Sequence, residues 1–266
     1  MTSVLITGAA GTIGRALREH LRGRYALRLT DLRPIADLAP GETFIAADIN
    51  EPAQIDAAVA GADCVIHLAA IAEEAPWDRI LSVNIDGTYN VFEAARRRRV
   101  ARVVFASSFH AVGFHRRSRE IDTEVPVRPD TRYGVSKVAG EAIGRLYADK
   151  YGLEVACLRI GSFRPKALNT RQLATTVTPR DIAELVRCCI DAPPFHFLIA
   201  YGVSGNTRNR WRSKSWDFLG FKPQDDAEIW AAEIEARNEP EAPLSAAFHG
   251  GPYVEQEFAG DPDKID

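Results

Sequence analysis

From residue 3 to about 160, short apolar runs alternate with longer stretches whose apolar positions recur at helical spacing. Val4-Leu5-Ile6-Thr7 reads as a buried strand, and Thr12 to Leu21 as the helix after it. Tyr25 to Thr30 alternates as a second strand ending at Asp31, and Thr43 to Ala47 as a third ending at Asp48. Pro52 to Val59 reads as a helix opening on its proline, whose fixed φ and missing N–H suit a first turn. Cys64 to Leu68 is a further buried strand, Ile80 to Arg98 a long helix and Val103 to Ala106 a strand. Tyr133 to Tyr151 is a helix and Val155 to Ile160 the strand that follows it. This alternation predicts an α/β fold built on a doubly wound parallel sheet.

The order weakens after Gly161. Pro179 to Asp191 reads as a helix, Phe197 to Ala200 as a late strand, and Trp216 to Leu219 and Asp226 to Glu235 as short helices. From Asn238 the chain turns to Pro, Gly and acid. The expected organisation is a single domain over 1–266, in which about 161–236 contributes a small substrate lobe and 237–266 an extended tail. Ligands of such sheets bind outside the carboxyl ends of the strands, so the loops there and the segments after 160 should form the pocket.

Composition adds exclusions. With 46% hydrophobic and 26% charged residues the profile is that of an ordinary globular chain. A net charge of -3 gives no global pull toward nucleic acid or anionic membrane, and neither is expected as a partner. No apolar run approaches the roughly 20 residues of a spanning helix. Met1-Thr2-Ser3 leads straight into the first strand, so no signal peptide is expected. Cys64, Cys157, Cys188 and Cys189 show no Cys-x-x-Cys spacing, which favours reduced buried thiols in a cytoplasmic protein and no metal site. Arg96 to Arg99 closes a helix, where cations complement the dipole. Arg116-Arg117-Ser118-Arg119 is either exposed or a rim that attracts anions, and the basic stretch Arg208 to Lys214 could line the pocket, contact a subunit or do neither.

Gly8-Ala9-Ala10-Gly11-Thr12-Ile13-Gly14 places Gly-x-x-Gly-x-x-Gly between a strand and a helix, where glycines let the backbone approach a pyrophosphate at the helix N-terminus. Asp31, with Leu32 beside it, ends the second strand, where an acid accepts from both adenosine ribose hydroxyls and repels a 2′-phosphate. NAD is therefore expected over NADP, although Arg33 lies close. Asp48-Ile49 falls where an adenine edge would lie, with a helix cap as the competing reading of Asp48. Leu68-Ala69-Ala70 supplies small side chains along the cofactor's path, and His67 reads as a strand histidine rather than a ligand.

Tyr133 and Lys137 stand one helical turn apart and share a helix face. A phenol of ordinary pKa about 10 is a poor base at neutral pH, and a cation nearby should pull that value down. Ser107-Ser108 ends the preceding strand, so the Ser108 hydroxyl can meet a reacting oxygen while Tyr133 exchanges its proton and Lys137 also holds the nicotinamide ribose.

Thr7 to Gly14, His67 to Ala70, Asn84-Ile85-Asp86-Gly87-Thr88 and Tyr133 to Lys137 resemble blocks of the short-chain dehydrogenase/reductase superfamily, extended type. The resemblance covers the chain to about residue 165 and implies a Rossmann fold with Ser108, Tyr133 and Lys137 catalytic. It implies Asn84 as a support residue at the cofactor, with Ile160 and Ser162 as further cofactor contacts. Phe105 to Gly113, Arg159-Ile160-Gly161-Ser162, Arg171 and Phe218 to Pro223 are similar to the corresponding segments of uronate dehydrogenases, so this likeness runs through almost the whole chain. Those enzymes oxidise the anomeric C1 of a hexuronate with NAD, giving an aldarolactone. The resemblance implies that Arg171 grips the sugar carboxylate, that His110 and Ser108 contact ring hydroxyls, and that Ala72, Phe109, Tyr133 and Phe163 complete the substrate site. That family usually carries Asn where this chain has Phe109 and Ser where it has Ala72. Arg164 and Lys166 make the region more basic than expected, which keeps open a hexose 6-phosphate or a sulfosugar. A nucleotide-sugar epimerase and a non-catalytic NAD sensor are the remaining alternatives. A homo-oligomer working in carbohydrate metabolism is the default expectation.

Overall fold

The computed structural model describes residues 1–237 and 239–265; Asn238 and Asp266, at either end of the expected tail, lie outside the described residues. In chain order the first half contains β1 (Ser3–Thr7), α1 (Thr12–Leu21), β2 (Ala26–Asp31), β3 (Glu42–Ala46), α2 (Pro52–Val59) and β4 (Cys64–His67). A continuous helical stretch follows, made of α3 (Trp77–Arg79), a π-helical turn (Ile80–Asp86) and α4 (Gly87–Arg97). Then come β5 (Arg102–Ser108), a 3₁₀ turn (Phe109–Val112), α5 (Arg132–Tyr151) and β6 (Glu154–Ile160). The remainder holds β7 (Ser162–Phe163), α6 (Gln172–Thr175), β8 (Thr176–Val177), α7 (Pro179–Asp191), β9 (Phe197–Gly202), α8 (Ser215–Leu219), α9 (Ala231–Glu235) and α10 (Pro243–Ala247).

Seven of these strands form one sheet in the order β3-β2-β1-β4-β5-β6-β9, every pairing parallel. This is the doubly wound arrangement, with its switch point between β1 and β4. Both faces are covered, so the strands read as near-continuous apolar runs. Ile6, Leu27, Leu29, Ile66, Val104 and Leu158 meet α1 and α7 on one face; Leu5, Val65, Val103, Phe105 and Val155 meet α2, α4 and α5 on the other.

Three differences from the sequence reading have local causes. β5 continues to Ser108, because Ser107 and Ser108 still pair with Arg159 and Ile160 although their side chains are polar. The long helix starts earlier, at Trp77, and widens into the π turn at Ile80–Asp86, a device often found beside functional sites. The tail is not extended. It forms α10 and 3₁₀ turns at Gly251–Glu255 and Pro262–Lys264, held because Phe248 is wholly buried and its neighbours find backbone partners. His249 N donates to His115 O at 3.0 Å, and Gly250 N to Gly113 O at 2.9 Å.

The basic runs also find their places. Arg96, Arg97 and Arg98 pair with Glu93 and Asp56. Arg116 donates to the carbonyls of Pro262 and Ile265, and Arg117 to Glu241, so this pair clamps the tail instead of forming a free rim. Arg208, Arg212 and Lys214 pair with Glu228, Glu120 and Glu124 around a buried Trp211, which stacks between Phe109 and Tyr201. All four cysteines are buried free thiols, and no helix among the described residues is long and apolar enough to cross a membrane.

Candidate active site

A cavity of about 850 Å³ opens at the carboxyl ends of β1, β2, β4, β5 and β6. The glycine turn makes its floor. Gly8 has φ +69°, and a Cβ there would lie 2.8 Å from Ala69 N; one at Gly14 would lie 2.6 Å from the carbonyls of Gly8 and Ala9. Only glycine lets β1, the β4 loop and α1 approach this closely. The N-terminus of α1, at Thr12 and Ile13, carries no acid in its first turn and no side-chain cap, which leaves its N–H groups and positive dipole end to an anion. Asp31 is aimed by Ala10 N and Arg33 N, which donate to Oδ2 and Oδ1 at 2.9 Å each. These features fit a dinucleotide: Gly11 to Gly14 leave room and N–H groups for a pyrophosphate, and Asp31 presents an aimed carboxylate to a ribose.

Leu32, Asp48, Ile49, Leu68, Ala69, Ala70 and Ala72 continue the cavity wall. Asp48 accepts from Asn50 N at 2.9 Å and shapes the turn before α2, whose N-cap position is Glu51; the helix-cap reading is thereby corrected. His67 is a strand histidine, set between the hydroxyls of Thr7 (2.8 Å) and Thr88 (3.1 Å) and pushed down to about 3 by burial. Asn84 is the one expected site residue outside the cavity lining. Its side chain accepts from Ile71 N at 2.8 Å and donates to Ile71 O and Ser136 Oγ, so it ties the loop after β4 to α5 from behind. Buried among backbone groups, it supports the wall without lining it.

At the far end Ser108, Tyr133 and Lys137 converge. α5 is started by Thr131, whose hydroxyl accepts from Gly134 N at 2.9 Å, and by Glu74, which accepts from Tyr133 N at 3.0 Å. Burial pushes the Tyr133 phenol up to about 12, outweighing the opposite pull of the nearby Ser108 hydroxyl. Lys137 Nζ donates to Ala106 O at 2.8 Å and lies 5.4 Å from the Tyr133 ring centre; burial pushes it down to about 8. The expected lowering of Tyr133 by its ammonium neighbour is thus overturned in the protein by itself, where desolvation prevails.

Ile160, Ser162, Phe163 and Arg171 close this end with Phe109 and His110. The Arg171 guanidinium is buried 5.3 Å over the Phe109 ring, and desolvation pushes it down to about 10. Its Nη atoms make only long contacts to Ser162 Oγ, Thr175 Oγ1 and Gly250 O (3.3 to 3.5 Å), and its Nε has no hydrogen-bond partner among the described residues. A buried cation so weakly satisfied has the chemistry to accept an anion. Arg164 lines the same cavity and its Nε is likewise without a partner among the described residues.

Sequence reasoning missed two contributors. Tyr253, from the tail, lines the cavity and packs tilted against His110 with ring centres 4.2 Å apart. Asp130 meets His110 Nδ1 at 2.7 Å. Neither sits in a motif, and only one of three aromatics in an acidic tail and an acid two residues before α5 hinted at them.

Residues 4–187 match the family model described as the NAD dependent epimerase/dehydratase family. The uronate dehydrogenase of Pseudomonas putida is 39% identical over 94% of this chain and 95% of its own length. The NAD-dependent glucose-6-phosphate dehydrogenase of Haloferax volcanii is 36% identical over 89% of this chain and 98% of its own. Among solved structures, a mutant uronate dehydrogenase from Agrobacterium tumefaciens complexed with NAD superposes with a TM-score of 0.92 at 39% identity, covering 96% of this chain and 97% of that one.

Proposed function

This chain belongs to the NAD dependent epimerase/dehydratase family, and from that premise we propose that it oxidises the anomeric C1 hydroxyl of a hexuronate to the aldarolactone with NAD. The observation that carries the reading is Arg171, a buried guanidinium whose Nε has no partner among the described residues, in the cavity that also holds Tyr133 and Ser108. NAD, when bound, supplies the two-electron acceptor. Gly8 to Gly14 receive its pyrophosphate and Asp31 its adenosine ribose. Arg171 takes the sugar carboxylate with a planar fork that suits both oxygens. Ser108 donates to or accepts from the reacting oxygen, and Tyr133 removes the C1 hydroxyl proton. Lys137 stands one turn away to favour the phenolate. The test is NADH formation with a panel of uronates, hexose 6-phosphates and neutral aldoses. Arg171→Ala should raise KM for uronates by on the order of 10²-fold with a smaller change in kcat, since a charged hydrogen-bonding partner is removed. Equal turnover of uronates and neutral aldoses would overturn the reading.

One observation favours a second reading. Arg164 adds to the same cavity a buried Nε without a partner among the described residues, and two guanidiniums suit the dianion of a hexose 6-phosphate, the substrate class named for the Haloferax volcanii relative. Under that reading Arg164→Ala abolishes a preference for phosphorylated over uronic substrates; under the first it leaves uronate turnover within a fewfold.

We also infer a homo-oligomer in the cytoplasm. Leu81, Tyr89, Val135, Leu146 and Tyr151, on and beside α4 and α5, stay 38–50% exposed, an apolar area suited to a second copy. Four buried thiols suit a reducing compartment. Light scattering after size exclusion tests the assembly.

A further inference from the structure

We propose that Asp130 is a positioning residue that fixes His110 in its Nδ1–H tautomer, leaving Nε2 to accept a ring hydroxyl of the sugar. The proposal rests on the reading above that a sugar occupies the cavity.

The argument begins with how tightly His110 is caged. Its ring lies between Phe109 and Tyr253, with centres 4.0 and 4.2 Å away, and meets Tyr133 edge-on at 5.9 Å. A ring wedged this way cannot swing, so what remains to be set is which nitrogen carries the proton. His110 Nδ1 lies 2.7 Å from Asp130 Oδ2, and the Asp130 side chain is wholly shielded from solvent. A carboxylate can only accept, so Nδ1 donates. The pocket-lining ring then has Nε2 as its other polar atom, and in the neutral imidazole that atom is an acceptor.

The surroundings are built to hold this carboxylate still. Asp130 Oδ1 accepts from the Thr131 hydroxyl at 3.1 Å, and Thr131 in turn caps the helix that carries Tyr133. Asp130 N donates to His110 O at 3.4 Å. A Cβ on Gly113 or on Gly250 would lie 1.9 Å from Asp130 Oδ2, so both the turn after β5 and the tail leave out a side chain where this acid sits. Three segments therefore meet at one buried carboxylate, whose hydrogen bond to a cavity-lining ring is the one to His110, while its charge also bears on Tyr133, Arg171 and Tyr253.

The tautomer also bears on selectivity. Phe109 and Ala72 line the cavity without a side-chain hydrogen-bonding group, so the His110 acceptor takes a larger share of ring-hydroxyl recognition.

The test is isosteric. Asp130→Asn keeps the shape but lets an amide donate to Nδ1, which favours the Nε2–H tautomer and turns the acceptor into a donor. Long-range 15N spectra of histidine-labelled protein, with His110 assigned by its loss in His110→Gln, should show the Nδ1–H pattern in the unmodified protein and Nε2–H in Asp130→Asn. The unmodified spectrum needs no variant of Asp130, so a poorly folding Asp130→Asn leaves the proposal testable; an Nε2–H pattern there overturns it. In kinetics, Asp130→Asn should lower kcat/KM about 10- to 100-fold, mostly through KM. Combined with His110→Ala it should add no further loss, because Asp130 acts through that ring. A loss that persists undiminished in the His110→Ala background makes Asp130 a structural strut and overturns the proposal. If no uronate is turned over at all, the function reading fails while the tautomer spectra still decide this one.

Discussion

At the scale of the residue, the proposed mechanism makes Tyr133 the group that sets the pH behaviour. Its phenol, pushed up to about 12 by burial, holds its proton at neutral pH, and a base for C1 oxidation must have lost it. Oxidation is therefore expected to climb with pH through the alkaline range. Lys137, pushed down to about 8, stays mostly charged at neutral pH and loses its support for the phenolate above that value, so the climb should slow there. The pH profile of kcat/KM checks this; a profile already flat from about pH 6 contradicts it. Tyr133→Phe should lower kcat by about 10²- to 10⁴-fold while NAD affinity, measured by calorimetry, stays within a fewfold. The glycine turn, Asp31, Ser108, Tyr133 and Lys137 were legible in the sequence because each sits at a fixed offset from a strand end or within one helical turn. Asp130 and Tyr253 were not, since their role depends on contacts with His110 from 20 and 143 residues away along the chain. Asn84 lies in a recognisable block, but only the π turn shows that it braces Ile71 from behind.

At the scale of the element, what keeps β5, β6 and α5 in register beneath the site is a buried ion pair. Arg159 on β6 donates to Glu141 on α5 at 2.9 and 2.8 Å, and Ser107 on β5 donates to the same carboxylate at 2.6 Å. Arg159 is 1% exposed and Glu141 5%, so removing one partner strands a charge in a low-dielectric interior. Glu141→Ala should cost about 3–5 kcal/mol in urea unfolding, whereas replacing both Glu141 and Arg159 by Met should recover most of it. A single variant as stable as the unmodified protein would show that the pair contributes little. The same residues explain why strand identities were readable and their ends were not. The buried stretches are continuous apolar runs, but pairing continues into Arg102, Glu154, Ser107 and Ser108, polar residues whose partners lie on other elements. Helix α7 was legible to the residue because Pro179 follows the cap Thr178 and its apolar face repeats at helical spacing.

At the scale of the whole molecule, the decisive feature is that the C-terminal tail returns to the sheet's active edge. Its composition of Pro, Gly and acid suggested an extended end, and nothing local contradicts that; the order comes from partners on the turn after β5. Phe248 is fully buried edge-on against Phe114, with Arg116 at 4.7 Å over its ring. Trp211 Nε1 donates to His249 Nδ1 at 3.0 Å, and four residues beyond His249 the chain delivers Tyr253 onto His110. The tail is thus anchored by one aromatic and reads out at another inside the cavity. Phe248→Ala should remove about 3–5 kcal/mol of stability through lost packing and the cavity left behind. Because the anchor precedes Tyr253 by only five residues, the same change should also loosen the His110 cage and raise KM for the sugar several-fold, with NAD affinity unchanged, since Gly8 to Gly14 and Asp31 lie at the other end of the cavity. Urea midpoints and KM measured on the same preparation separate the two effects. If stability falls and KM does not move, the tail is a structural cover only; if both move together, the last thirty residues are part of the substrate site.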